Sequence, residues 1–357
     1  MIIIVGPTGV GKTELSLKLA AQLKNPAIIN ADLGQLYTPL TIGTAKPDWR
    51  NEPVPHYLFD ILEQPENFTA FNYRRAVIEL FKKLNAPNNS KIITDSCARA
   101  LKIVPILVGG SGFYLQALFF KSPLDDILTS KSDNNVSNYD NNASQRKNLS
   151  SVSALNTTSM LWQKLNLIDP VRAQEIDSHD LYRIQRALEI WQIYKILPSN
   201  AKPVYAPIVP EDQKVKIIIL TRDLPELYAR IDQRVLEMLS SGWLAEVQSL
   251  VNTPWEKFLL EKRLIGYDDL LISLKLAGKQ NRIEELLNPE HLAPDLISLI
   301  QQRSRNYAKR QIAFFKMLAR KLTAESAGQI EIEWLNLTAT DVDLYIKRLL
   351  SDPSFEK

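Results

Sequence analysis

Eight residues, Gly6-Pro7-Thr8-Gly9-Val10-Gly11-Lys12-Thr13, lie between an apolar run, Ile2 to Val5, and a helical pattern over Glu14 to Leu23. A strand that turns on glycines into a helix points to a parallel sheet with crossover helices and away from hairpins. The spacing G-x-x-x-x-G-K-T is that of a P-loop. Its glycines let backbone N–H groups turn onto phosphate oxygens, and the helix N-terminus adds partial positive charge. Lys12 adds a point charge, and the Thr13 hydroxyl can ligate Mg2+. A diphosphate is therefore expected on Gly6, Pro7, Thr8, Gly9, Val10, Gly11, Lys12 and Thr13. A glycine-rich turn without a ligand is the competing reading. Loop length, lysine, hydroxyl and context all oppose it.

The rest of the chain repeats the alternation. A second strand, Ala27 to Asn30, runs on to Asp32, and a third apolar run, Ile103 to Val108, leads through Gly109-Gly110 into Phe113 to Phe119. Strands alternating with helices predict an α/β fold, a P-loop-type parallel sheet core flanked by helices. Ligands in such sheets sit at the carboxyl ends of the strands. Asp32 and Gly109-Gly110 both fall there.

Residues 130–159 are half Ser and Asn and lose all apolar periodicity, which predicts a flexible linker. A shorter Asn-rich patch, Asn85 to Ser90, reads as a loop insertion. Helical spacing then returns. Ile184, Leu188 and Trp191 share one face, and Leu227, Ile231 and Val235 share another. Pro198 to Pro210 breaks the pattern before Val215 to Leu220 rejoins the sheet. The expected organisation is a core over 1–121, an inserted, mostly helical domain over 122–205, the core resumed over 206–325, and a C-terminal tail over 326–357.

Composition narrows the function classes. The 357 residues are 45% hydrophobic, enough for two domains. The formal charge of +3 permits a nucleic-acid partner without requiring one. One cysteine, Cys97, excludes an internal disulfide and a Cys-rich zinc site, and it fits a reducing cytoplasm. The opening strand pattern at Ile2 predicts no leader, and no apolar run is long enough to span a bilayer, so no membrane partner is expected.

A P-loop specifies phosphate and leaves the reaction open. Nucleotide hydrolysis usually also needs a strand-end carboxylate for the metal. The run Ile103 to Val108 ends instead in two glycines; Ile92-Ile93-Thr94-Asp95 is a weaker candidate. The next constellation is Asp32-Leu33-Gly34-Gln35-Leu36-Tyr37, followed by Gly43-Thr44-Ala45-Lys46-Pro47. Asp32 at a strand end beside the loop can take a proton from an attacking amine. It is also readable as a helix N-cap. Gln35 is either a base reader or a surface amide. Lys46 either adds charge for a diphosphate or is solvated.

These motifs, with six further segments, resemble the tRNA dimethylallyltransferase (tRNA isopentenyltransferase) family. The segments are Val54-Pro55-His56-Tyr57-Leu58-Phe59-Asp60, Val108-Gly109-Gly110-Ser111-Gly112-Phe113-Tyr114, Asp169-Pro170-Val171-Arg172-Ala173, Arg183-Ile184-Gln185-Arg186-Ala187-Leu188-Glu189, Ile265-Gly266-Tyr267 and Tyr307-Ala308-Lys309-Arg310-Gln311, together with the Gly43–Pro47 stretch. They are collinear over about residues 1–320. Against the family pattern, Leu33 replaces a serine, Ser111 a threonine, and Tyr57 a histidine.

The resemblance implies transfer of a dimethylallyl group from dimethylallyl diphosphate to N6 of the adenosine 3′ of the anticodon in tRNA. Asp32 would act as base and Thr13 would help hold Mg2+. The tRNA anticodon stem-loop would contact Asp32, Leu33, Gly34, Gln35, Ser111, Arg183 and Arg186. The alternatives are alkylation of a free adenylate, or a P-loop kinase or NTPase. A monomer is expected. The region Leu296 to Ala324 contains no acidic residue. In it Arg305, Lys309, Lys316 and Arg320 follow a 4-7-4 spacing and form one stripe suited to an RNA backbone, or to solvent. Tyr307, Gln311 and Phe314 form a second stripe, expected to pack inward.

Overall fold

The fold is that of a computed structural model, which describes residues 1–85, 103–125, 151–279 and 292–351. The candidate carboxylate Asp95, Cys97, residues 86–90 of the Asn-rich patch and residues 130–150 of the linker lie outside these.

The central strand β1 (Ile2–Val5) is buried at all four positions. That is why it reads as an unbroken apolar run and not as an alternation. It pairs in parallel with β4 (Val104–Gly109) on one edge and β7 (Val215–Thr221) on the other. Ile3 lies opposite Leu107 and Ile217. Outside β4 come β2 (Pro26–Asn30) and the short β3 (His56–Tyr57); outside β7 comes β8 (Ile330–Asn336). The sheet order is β3-β2-β4-β1-β7-β8, and every pairing is parallel.

Ile2, Ile4, Ile28, Ile106 and Ile218 join one core layer with Leu15 and Leu19 of α1 (Lys12–Ala20) and with Leu227 and Ile231 of a later helix. Alternate strand positions feed opposite faces of the sheet, so both faces need helical cover.

Some helices carry a side-chain cap at their start. Thr69 accepts a hydrogen bond from the Asn72 N–H at the head of α2 (Ala70–Leu84). α3 (Gly112–Phe119) follows β4. The chain divides into two compact units, Met1–Ala117 with Ile208–Lys357, and Leu118–Pro207.

The second unit opens and closes with a two-residue antiparallel ladder, β5 (Phe120–Lys121) against β6 (Val204–Tyr205). Between them run α4 (Ser151–Ile168), α5 (Pro170–Glu175) and α6 (Leu181–Tyr194). They enclose a small core of Leu165, Ala173, Ile176, Ile184, Ala187 and Leu188. Asp169 joins two segments of this unit: its carboxylate accepts the Arg172 N–H at 3.0 Å and the Ser199 N–H at 2.7 Å.

In the first unit α7 (Leu224–Ser240) buries Leu227, Ile231, Val235 and Leu239 at the expected spacing. Then follow α8 (Trp243–Ser249), α9 (Pro254–Lys262), α10 (Tyr267–Lys279) and the 32-residue α11 (Pro294–Glu325). After β8 comes α12 (Val342–Leu350).

Two sequence expectations need correction. The linker reading ran to residue 159, but α4 begins at Ser151. Ser and Asn lower helix propensity by only tenths of a kcal/mol, about what tertiary packing of Leu161, Trp162 and Leu165 overrides. The segment 326–357 is not merely a tail. β8 pairs with β7 along its whole length, and Tyr345, Ile346 and Leu349 of α12 enter the main core. No helix among the described residues is long and apolar enough to cross a membrane.

Candidate active site

The Gly6–Thr13 loop leaves the carboxyl end of β1 and enters α1 through Gly11. Gly9 and Gly11 have φ of 76° and 108°. Side chains there would be strained, so the motif's glycines answer to backbone shape. The loop is gripped from outside. Arg222 Nε donates to Val10 O at 2.9 Å, and Arg230 Nε donates to Gly9 O at 3.0 Å. Gln311 of α11 ties two segments together. Its Oε1 accepts the Thr8 N–H at 2.9 Å, and its Nε2 donates to Gly110 O at 2.9 Å.

Lys12 folds back over its own loop, donating to Gly6 O at 3.1 Å and Pro7 O at 2.9 Å. Burial lowers its pKa to about 8; Asp32 opposes the shift and Arg234 reinforces it. Arg234 is itself pushed down by burial, with Asp32 pulling it back up. Its guanidinium reaches Thr8 Oγ1 at 3.5 Å. Two cations thus converge on one loop with Asp32 as their shared counter-charge. This arrangement stores unfavourable charge that a polyanion would relieve.

Asp32 sits just past β2. Its N–H donates to Asn30 Oδ1 at 2.9 Å, and its Oδ1 accepts the Gly34 N–H at 3.1 Å. The capping reading is therefore correct for one oxygen. Oδ2 has no hydrogen-bond partner among the described residues. Tyr307 lies close by, its hydroxyl pKa raised by burial and further by the charge of Asp32. Leu33 is half-buried and donates its N–H to Ser111 Oγ at 3.1 Å, which brings Ser111 beside Asp32 as the motifs implied.

Gly34 and Gln35 form the short turn after Asp32. Gln35 Nε2 donates to Thr44 O and Ala45 O, each at 3.3 Å, and its Oε1 has no hydrogen-bond partner among the described residues. The loop carrying those carbonyls is fixed by Glu246, whose carboxylate accepts the N–H groups of Thr41, Ile42 and Gly43 and the hydroxyl of Tyr267. Lys46 does not hold its ammonium in solvent. Its side chain is 2% exposed and ion-paired with Asp60.

Thr13 is exposed at the first turn of α1, and its hydroxyl has no partner among the described residues. No cluster of three His, Cys, Asp or Glu side chains that could hold a metal occurs among them. One hydroxyl beside a phosphate loop suits Mg2+, which keeps most of its waters and takes few protein ligands.

The structure divides the basic stripe. Lys309, Lys316 and Arg320 are exposed, but Arg305 is ion-paired with Asp232 of α7. Arg303 likewise pairs with Asp268 and Asp269. In the second unit Arg183 and Arg186 are exposed, paired with Asp180 at 3.2 Å and Glu189 at 3.3 Å. With Arg172 and Tyr182 they line a cavity of about 250 Å³.

Sequence reasoning missed Arg222, Arg230, Arg234 and Glu246. Arg230 and Arg234 stand four apart beside the apolar face of α7, a signal of a shared helix side. Nothing in the sequence says that this side meets a loop more than 200 residues away.

Fold and loop together define a class: a doubly wound α/β protein with a glycine-rich, lysine-bearing turn from strand to helix. The comparisons narrow this. Residues 35–318 match the family model described as IPP transferase. The chain is 32% identical over 360 residues to the tRNA dimethylallyltransferase of Petrotoga mobilis, covering 99% of this chain and 98% of that protein. Among solved structures it is similar to the tRNA delta(2)-isopentenylpyrophosphate transferase of Staphylococcus epidermidis, with 26% identity, a TM-score of 0.54, and coverage of 98% and 97%. A eukaryotic dimethylallyltransferase acting on tRNA shares the fold, with a TM-score of 0.67 at 24% identity over 100% of this chain and 79% of the other. The chain belongs to the IPP transferase family.

Proposed function

We propose that this protein transfers the dimethylallyl group of dimethylallyl diphosphate to N6 of the adenosine 3′ of the anticodon in tRNA. The observation that carries the reading is the convergence of Lys12 and Arg234 on a glycine-rich loop beside a shared carboxylate, Asp32, which keeps one oxygen free among the described residues. In the reaction the allylic C1–O bond breaks, the diphosphate departs with the electron pair, and a bond forms between C1 and N6. Asp32 accepts the proton that N6 loses. The backbone of Gly6 to Thr13, with Lys12 and Arg234, holds the departing diphosphate and offsets its growing charge. Mg2+, held in part by Thr13, supplies further charge neutralisation when bound.

The target base has to leave its stack to reach C1. Gln35 Oε1, on an amide held by the Thr44 and Ala45 carbonyls, accepts from a base amino group in this reading. Ser111, Leu33 and Gly34 line the approach, and Lys309, Lys316, Arg320, Arg183 and Arg186 hold RNA phosphates. Arg305 is withdrawn from that set because it is half-buried against Asp232 of α7, whereas Arg183 and Arg186 stay exposed beside their carboxylates.

The test is incubation with labelled dimethylallyl diphosphate and unmodified tRNA, followed by nucleoside analysis. Label in N6-modified adenosine from the anticodon loop is the expected result. Label in free adenylate, or phosphate release from ATP without RNA, would replace the reading with one of its alternatives.

A further inference from the structure

We propose that Phe113 and Phe314 form an aromatic platform at the edge of the site, on which a nucleobase flanking the target adenosine stacks once the target is withdrawn. The inference rests on the RNA-modifying reading above and adds a surface to it. Phe113, in the first turn of α3, is 68% exposed. It leans edge-to-face on Phe314 of α11, with ring centroids 4.8 Å apart and planes at 62°. A Cβ on Gly112 would lie 2.3 Å from Phe314 Cδ1, so the bare glycine lets that ring lie against the α3 backbone and fixes the pair. Met317, 46% exposed and one turn beyond Phe314, extends the apolar surface.

The location is specific. Phe113 is two residues past Ser111, which accepts the Leu33 N–H beside Asp32. Phe314 is one helical turn past Gln311, which holds Thr8 and Gly110. The platform is thus built on the same two segments as the catalytic loop contacts.

Charge identifies the occupant. Lys309, Arg310, Lys316 and Arg320 are exposed on the same helix, and none has a carboxylate partner among the described residues. Lys309 and Arg310 rest over the Tyr228 and Tyr307 rings, which keeps them close to the helix. An exposed ring beside a helix that carries these cations, with Arg310 one turn before Phe314, matches a polyanion that also carries π faces, which is single-stranded nucleic acid. An isoprenoid chain would account for the rings and leave the cations without a purpose. Extruding one base also deprives its neighbours of a stacking partner, and an aromatic at the rim replaces it.

The experiment uses the full chain without prenyl donor and an anticodon stem-loop RNA with 2-aminopurine on either side of the target adenosine. Wild-type protein should quench one of the two probes by stacking. Phe113→Ala and Phe113→Leu should lose the quenching and bind the RNA roughly 5- to 150-fold more weakly, the range that base–aromatic stacking spans. Phe113→Tyr should behave as wild type. Leucine keeps apolar bulk, so its loss of quenching separates stacking from packing, and inorganic diphosphate affinity serves as the control for an intact core. Unchanged quenching and affinity in Phe113→Leu overturn the platform. Weakened binding of dimethylallyl diphosphate, with inorganic diphosphate and RNA unaffected, also overturns it and assigns the pair to the prenyl chain. Wild-type protein that fails to bind the stem-loop at all overturns the RNA reading itself, an outcome distinct from either.

Discussion

The two oxygens of Asp32 have different surroundings: Oδ1 caps the Gly34 N–H and Oδ2 is free among the described residues. Asp32→Asn keeps the cap and removes the proton acceptor. It should lower kcat by about 10²–10⁴-fold while tRNA affinity and thermal stability stay near wild type. Wild-type turnover in that variant would remove Asp32 from the chemistry. Lys12 yields a pH prediction. Its folded pKa, about 8, lies below the ordinary 10.5 because burial disfavours the charge. Between those values the folded state binds fewer protons than the unfolded one, so this group adds stability as pH rises through that window. Diphosphate binding reverses the preference by restoring a counter-charge. Above pH 8 binding should take up close to one proton, and affinity should fall by up to about tenfold per pH unit. Calorimetry in buffers of different ionisation enthalpy measures the uptake; none at pH 9 would show that Lys12 does not meet the ligand. The loop and Asp32 were legible in sequence because both depend on local spacing. Arg222 and Arg234 were not, because their value lies in which distant backbone they face.

At the scale of elements, α11 shows how far a helix pattern can be read. The 4-7-4 spacing correctly placed four cations on one stripe, and three of them are exposed. The fourth, Arg305, is drawn to Asp232, 73 residues away on α7, a contact no periodicity encodes. The inward stripe fared better at Gln311, which is buried, while Phe314 is only half-buried. Variants separate these roles. Lys309→Ala with Lys316→Ala should flatten the log–log salt dependence of tRNA binding by roughly 1.4–1.8 units, as loss of two phosphate contacts requires at ~0.7–0.9 each. Arg305→Ala should leave that slope unchanged and cost about 0.2–1 kcal/mol of stability, the ordinary worth of a partly exposed ion pair. A flattened slope in the Arg305 variant, with none in the double variant, would reverse the assignment. α4 illustrates the opposite difficulty: its Ser- and Asn-rich beginning has a linker's composition, and only packing around Leu165 makes it helical.

For the whole molecule, β8 and α12 are as much part of the sheet and core as the catalytic loop. Truncation after Gly328 would bare the full edge of β7 and remove Leu335, Leu337, Tyr345, Ile346 and Leu349 from the core. The truncated chain should lose its cooperative thermal transition and aggregate; a sharp, wild-type-like transition would show β8 to be dispensable. The alternation of strands and helices made the parallel sheet legible, but strand order was not, since order depends on pairings such as Ile2 with Lys216. That pairing has a consequence during synthesis. β1, β2 and β4 leave the ribosome early, while β7 follows β4 by roughly a hundred residues, about 5–20 s of translation at ordinary speeds. Throughout that interval one side of β1, a strand apolar and buried at every position, has no neighbour. An open apolar edge is a template for other nascent chains. The intervening helical unit, closed by its own short ladder and holding its own core, can fold during the wait. Anything that slows elongation between residues 118 and 207 should therefore lower the yield of soluble protein more than the same delay after residue 221.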